Sequence, residues 1–151
     1  MSDSEKITGG CTCGAVRYEA LGKPIDVAYC HCSDCRGISG GPVVTWVAFE
    51  TKYVNFTNGK RKTFESSPGI CWGFCEHCGS SLTWEGSSFR YGFHITEFLI
   101  GTLDKPETFV PDRHWFDGER LTWFEVADNL PRYNKMDYQV EPTHHGPENA
   151  Q

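Results

Sequence analysis

Three tight clusters hold seven of the eight cysteines of this chain. They read Cys11-Thr12-Cys13, Cys30-His31-Cys32-Ser33-Asp34-Cys35, and Cys75-Glu76-His77-Cys78, with Cys71 just ahead of the last. Two thiolates one to two residues apart can grip one metal ion from a single turn. Two such grips from distant parts of the chain complete a tetrahedron. Tetrahedral sulfur coordination points to zinc, with iron as the main competitor. The number of clusters predicts two metal ions per chain.

Disulfide bonding is the weaker use of these cysteines. A chain of 151 residues can bury a core without staples. The segment Met1–Lys6 is polar and no apolar signal region follows it, which predicts a cytoplasmic, reducing setting where thiols persist and bind metal. No apolar run has the length of a membrane span, so no membrane partner is expected. The net charge of −6 argues against nucleic acid as the partner. The one basic run, Lys60-Arg61-Lys62, reads as the solvated face of a strand. No feature of the sequence sets the oligomeric state.

The rest of the pattern is strand and turn. Ala15–Ala20 alternates apolar and polar residues, Ile25–Tyr29 reads likewise, and Val43–Phe49 is a β-branched apolar segment suited to a central strand. Asn58-Gly59 between Tyr53–Thr57 and Lys60–Ser66 reads as a hairpin. Ser67-Pro68-Gly69 turns the chain into Ile70–Cys75, and Ser81–Trp84 and Phe89–Ile95 are strands around a turn at Glu85–Ser88. Helix is confined to a short turn over Cys32–Ser39 and a possible one over Leu121–Asn129, whose Trp123, Phe124 and Val126 equally suit irregular packing. Trp46, Phe49, Trp72, Trp84 and Trp123 read as core. Many short strands with Gly/Pro turns predict a mainly β sandwich or open barrel. One domain over residues 8–136 is expected, with a flexible N-terminus at 1–7 and a loosely ordered tail at 137–151.

The clusters differ in what they can do. Cys75-x-x-Cys78-Gly79 has the form of a zinc knuckle, in which Gly79 permits the tight turn and nearby N–H groups offset thiolate charge. With Cys11 and Cys13 it would make a closed, structural four-thiolate site. Cys30, Cys32 and Cys35 supply three ligands from one loop and leave a fourth position for water or substrate. Such a centre suits activation of a thiol. A second assignment stays open on spacing: Cys32, Cys35, Cys75 and Cys78 as a single zinc ribbon. Cys71 reads as a small buried hydrophobe, but as a ligand it would close the second site. Among the histidines, His31 and His77 lie inside clusters, His94 lies on a strand, His114 could line a pocket, and His144-His145 falls in the tail.

Gly9–Tyr18, Cys30–Arg36, Phe74–Ser80, Gly101–Asp104, Pro111, His114-Trp115 and Leu130–Tyr133 together resemble the glutathione-dependent formaldehyde-activating enzyme family. The likeness covers about residues 8 to 134. It implies an Mss4-like, zinc-bearing fold of packed antiparallel sheets with little helix. It implies a structural zinc on Cys11, Cys13, Cys75 and Cys78, and a more labile zinc on Cys30, Cys32 and Cys35. The implied activity joins glutathione to formaldehyde, giving S-(hydroxymethyl)glutathione, the reverse of a carbon–sulfur lyase reaction. His31 is then a candidate proton donor, and Arg36 a candidate cation for the anionic glutathione. The alternative is a zinc-stabilised binding module of the same fold without turnover.

Overall fold

The computed structural model describes residues 5–88 and 91–136, together with the backbone of His144–His145. Strand occupies 43% and helix 15% of the residues, in two sheets, which is the β-rich, helix-poor architecture expected. The chain forms two compact units, Met1–Asp26 with Val47–Phe109 and Val27–Trp46 with Val110–Gln151. No helix among the described residues is long and apolar enough to cross a membrane.

Strands β1 (Lys6–Gly10), β2 (Arg17–Leu21) and β3 (Asp26–Cys30) bury alternate residues, as a two-residue period dictates. Strand β4 (Val44–Glu50) instead buries Trp46 to Phe49 in succession, which explains its continuous apolar reading. In the first unit, β5 (Val54–Asn58) joins β1 and β2 in an antiparallel sheet. The strands β6 (Lys62–Ser67), β7 (Ile70–Phe74), β8 (Ser81–Ser87) and β9 (His94–Leu99) follow one another as an antiparallel meander. Tyr18 of β2 stacks on Phe98 of β9 with ring centroids 3.8 Å apart, so the two sheets meet there. The Tyr18 hydroxyl also bonds Thr102 Oγ1 at 2.6 Å. Arg17 forks onto the Asp104 carboxylate, and the Thr8 hydroxyl donates to the same group. These bonds tie the β1–β2 hairpin to the Gly101–Asp104 segment.

In the second unit β3 leads into helix α1 (Ser33–Ser39). The two-residue strand β10 (His114–Trp115) runs parallel to β3 and to β11 (Pro131–Arg132). This parallel ribbon departs from the all-antiparallel pairing expected. The backbone of β12 (His144–His145) pairs antiparallel with β11; the rest of the tail after Met136, and Met1–Ser4, lie outside the described residues.

Four local readings change. Asn58-Gly59 is a turn, with Gly59 at φ 60°, but its flanking strands diverge: β5 pairs with β2 and β6 pairs with β7. Pairing is decided by the sheets. Arg61 lies over the Phe56 ring and pairs with Glu85, which commits the residues after the turn to the second sheet. The tight hairpin is instead the one at Pro68-Gly69, where Gly69 has φ 78°. Glu85–Ser87 continues β8 rather than turning, and of the strand expected at Phe89–Ile95 only His94 and Ile95 belong to β9, residues 89–90 lying outside the described set. Leu121–Asn129 takes the irregular one of its two readings, but Trp123 is 75% exposed rather than core. Its ring leans edge-on against Phe124 within that irregular segment.

Phe98 is fully buried under Tyr18. Phe98→Ala should lower the unfolding free energy by about 3–5 kcal/mol in chemical denaturation of metal-loaded protein. A loss under about 1 kcal/mol would contradict its place at the centre of this unit.

Candidate metal centres

Two hairpin tips build the first centre. Cys11 follows β1, and the chain turns through Gly14 at φ 77°, with Gly14 N–H donating to Cys11 O at 3.1 Å. Cys75 follows β7, and Gly79 at φ 76° lets its N–H return to Cys75 O at 2.8 Å. A side chain at either glycine would be strained by the left-handed backbone. Ser80 joins the tips: its hydroxyl accepts from Thr12 N–H at 3.1 Å and donates to Thr12 Oγ1 at 3.1 Å. The sulfurs of Cys11, Cys13, Cys75 and Cys78 all lie within 4.8 Å of one another. Cys11–Cys13 is 3.6 Å and Cys13–Cys75 is 3.8 Å.

The second centre forms where β3 runs into α1. Cys30 ends the strand, Cys32 caps the helix, and Cys35 lies buried in its first turn. Cys32 Sγ accepts the Cys35 N–H at 3.2 Å, as a capping side chain does. Trp46 Nε1 donates to Cys35 Sγ at 3.4 Å, and the Cys30 and Cys35 sulfurs are 3.4 Å apart. Cys32 alone of the three is half-exposed. Among the described residues, no fourth Cys, His, Asp or Glu completes this set, and Cys71 belongs to neither. Cys71 therefore does not join the second set. The single-ribbon assignment also fails, because Cys75 and Cys78 converge with Cys11 and Cys13.

Both sets fit a tetrahedral thiolate metal. Metal–sulfur bonds of about 2.3 Å give a tetrahedron with edges of about 3.8 Å, close to the separations found. The cysteines are free of disulfides. Without a metal, hydrogen bonds from Cys30 and Cys35 pull Cys32 down to about 3. Cys30 is pushed well above the ordinary thiol range by the same contacts with Cys32 and Cys35, and by burial. Cys35 is also raised: its Cys30 bond opposes the shift, while the Cys32 sulfur and burial drive it. The loop thus holds one thiolate and two thiols near neutral pH. In the four-cysteine set the Ser80 hydroxyl and N–H bring Cys78 down to about 5. Cys13, although the Ala15 N–H favours its thiolate, is pushed up to about 11 by Cys11 and Cys78.

His31 stands between two of these cysteines and turns away from them. Successive residues on an extended chain face opposite sides, so Cys30 and Cys32 share one side and His31 takes the other. There Tyr29 stacks on His114, and His31 meets the same ring edge to edge in nearly one plane. His31 is completely buried and its Nε2 lies 2.8 Å from His114 Nδ1. Burial, with His114 beside it, pushes His31 down to about 4, and burial lowers His114 as well. This corrects one expectation: the His31 ring faces His114 and not the cysteine sulfurs. Arg36 Nη1 donates to the carbonyls of His31 and Glu119, so it braces the loop. His77 and His94 are exposed.

Sequence reasoning missed Asp117, Glu119 and Asp128. Glu119 accepts the Ser33 N–H at 2.8 Å, at the start of α1. Asp128 accepts from His114 Nε2 at 3.0 Å, and Arg132, itself buried, donates to Asp117 at 3.1 Å and to Asp128 at 3.2 Å. Phe116, at φ 55°, turns the chain that delivers Asp117. No motif marked these acids. The structure shows what Asp117 and Asp128 answer, since a fully buried guanidinium such as that of Arg132 needs carboxylates.

Residues 6–119 match the family described as glutathione-dependent formaldehyde-activating enzyme. The chain belongs to that family. Both cysteine sets, His31, His114, Asp117 and Glu119 fall within the family match; Asp128 and Arg132 lie beyond its end. The fold is similar to the crystal structure of a Rhodobacter sphaeroides protein, a structural-genomics target. That likeness has a TM-score of 0.52 at 18% identity and covers 69% of this chain and 97% of that one. It carries the fold alone. No curated protein matches this chain.

A metal entering the three-cysteine loop must displace the protons of Cys30 and Cys35, because those thiols are raised, whereas Cys32 has already lost its own. Metal uptake there should release about two protons and weaken about 100-fold for each unit the pH falls below neutrality. Calorimetry of zinc binding in buffers of different ionisation enthalpy measures this; release of no protons would contradict the assignment.

Proposed function

We propose that this protein is a zinc-dependent enzyme joining a small thiol to an aldehyde, with glutathione and formaldehyde as its substrates. The supporting observation is the inequality of the two sulfur sets. Four sulfurs on the hairpin tips close a tetrahedron, whereas the three of Cys30, Cys32 and Cys35 leave one corner free beside half-exposed Cys32. The family description names both glutathione and formaldehyde.

In this reading Cys11, Cys13, Cys75 and Cys78 hold a structural zinc, and Cys30, Cys32 and Cys35 hold a second. A zinc with three thiolate ligands favours a soft fourth ligand and lowers the pKa of an incoming thiol while leaving its sulfur nucleophilic. The chain's own part is positional. The capped first turn of α1 and the Arg36 bonds hold the loop, and Trp46 supplies an N–H to the Cys35 sulfur. In the reaction the thiol sulfur bonds to the aldehyde carbon. The C=O electron pair moves to oxygen, which takes up one proton in exchange for the one the thiol gave up. The atoms of both substrates therefore appear in the adduct and no further reactant is needed. With His31 turned inward, solvent is the source of that proton.

Titrating the zinc-loaded protein with glutathione at physiological salt tests the proposal. Saturable binding is expected, with loss of binding in Cys32→Ser. No binding up to several millimolar glutathione, with both metals present, would overturn it. Formation of the hydroxymethyl adduct above the spontaneous rate then separates an enzyme from a binding module.

The two centres should also fail differently. Cys75→Ser should unfold more easily, because structural metal binding is coupled to folding. Cys32→Ser should keep a folded β domain by circular dichroism and lose ligand binding. Equal loss of thermal stability in both variants would contradict the division of roles.

A further inference from the structure

We propose that Asp128 and His114 are positioning residues: they lock the His31 imidazole in its Nε2–H tautomer and so hold the Cys30–Cys32 segment in the shape that converges its sulfurs. The inference rests on reading Cys30, Cys32 and Cys35 as a metal set, and not on which thiol binds there.

One line of hydrogen bonds runs from Asp128 through His114 to His31. Both oxygens of Asp128 lie 3.0–3.1 Å from His114 Nε2. A carboxylate only accepts, so His114 Nε2 carries hydrogen. A neutral imidazole has one N–H, which leaves His114 Nδ1 a bare acceptor. That acceptor is 2.8 Å from His31 Nε2, which must therefore be the donor. Hydrogen on His31 Nε2 leaves Nδ1 bare, and His31 Nδ1 is the buried ring nitrogen with no hydrogen-bond partner. A buried lone pair without a partner is less unusual than a buried N–H without one. The reversed chain would point the His114 Nε2 lone pair at a carboxylate. Both rings are fully buried, and the nearby carboxylates of Asp117 and Asp128 are already paired with Arg120 and Arg132, so no unpaired negative charge calls for an imidazolium.

Locking His31 matters because of its neighbours. Its N–H donates to Trp115 O at 3.0 Å, its carbonyl accepts from Arg36, and its ring is tied to His114. One residue between two metal-ligating cysteines is thus fixed through its N–H, its carbonyl and its ring. Moving the backbone that carries both flanking sulfurs would require breaking at least one of these ties.

The competing use of the same atoms is a third metal. His31, His114 and Asp117 place ligand atoms within 4.8 Å of one another. A metal there needs His31 Nε2 bare and its proton moved to the partnerless Nδ1. Arg132 already supplies the positive charge: it bonds both Asp117 and Asp128.

Long-range proton–nitrogen correlation on the zinc-loaded, nitrogen-15-labelled full chain reads the tautomers directly. The expected result is Nε2–H on both His31 and His114 at neutral pH. Asp128→Asn, which keeps an accepting oxygen, should preserve this pattern. Asp128→Ala should mix the tautomers and speed zinc release from the three-cysteine loop to a chelator by about tenfold, leaving the four-cysteine site unchanged. His31 found with hydrogen on Nδ1, a third bound zinc, or unchanged tautomers and release in Asp128→Ala would each overturn the proposal. If the alanine variant does not fold, the wild-type tautomers and the asparagine variant still decide it. None of these readouts involves glutathione, so failure of thiol binding and failure of this lock are seen separately.

Discussion

Thiolates gathered within bonding distance of one point repel each other unless a cation sits among them. That constraint organises this protein. The β1–β2 tip and the β7–β8 tip have little apolar surface at Thr12, Cys13, Glu76, His77 and Cys78, all of them exposed. Thr12 and Ser80 join them through two hydrogen bonds, which is weak attachment in water. Shared sulfur coordination supplies what apolar burial does not, and it fixes the ends of strands whose middles carry the Tyr18–Phe98 core.

The second set obeys the same constraint with different support. Here a strand, a helix cap and a buried polar network converge on six residues. Alternation along the extended chain separates the two tasks. Cys30 and Cys32 face one way to bind, and His31 faces the other way, into hydrogen bonds with His114 and beyond it Asp128. Buried polar networks of this kind are tolerated only when nearly every member is paired. Here the exception is one nitrogen of His31, on the residue that separates the cysteines.

How much of this was legible depends on range. The cysteine pairs were legible because spacing of one or two residues confines two sulfurs to one turn, whatever surrounds them. The pairing of Cys11 and Cys13 with Cys75 and Cys78 was only one of two readings, since spacing cannot say which tips meet. Strands with strict alternation, such as β2 and β3, were read within about two residues. The hairpin at Asn58-Gly59 was misplaced because a turn signal is local, whereas β5 and β6 are recruited by different sheets. Trp123 was read as core because aromatic residues usually are, yet its segment has no periodic face to bury. Arg36 and His31 were read for their charge and chemistry when their bonds are to main-chain carbonyls and to another ring. Asp117 and Asp128 gave no signal, because a carboxylate that answers a buried arginine looks like any surface acid in sequence.

X-ray absorption at the zinc edge, on protein purified without chelator and with quantified metal content, tests the central claim most directly. The account predicts two zinc ions per chain whose averaged shell contains between three and four sulfurs each. On adding glutathione the sulfur count should rise towards four as the open corner fills. One zinc per chain with four sulfurs, unchanged by glutathione, would contradict it.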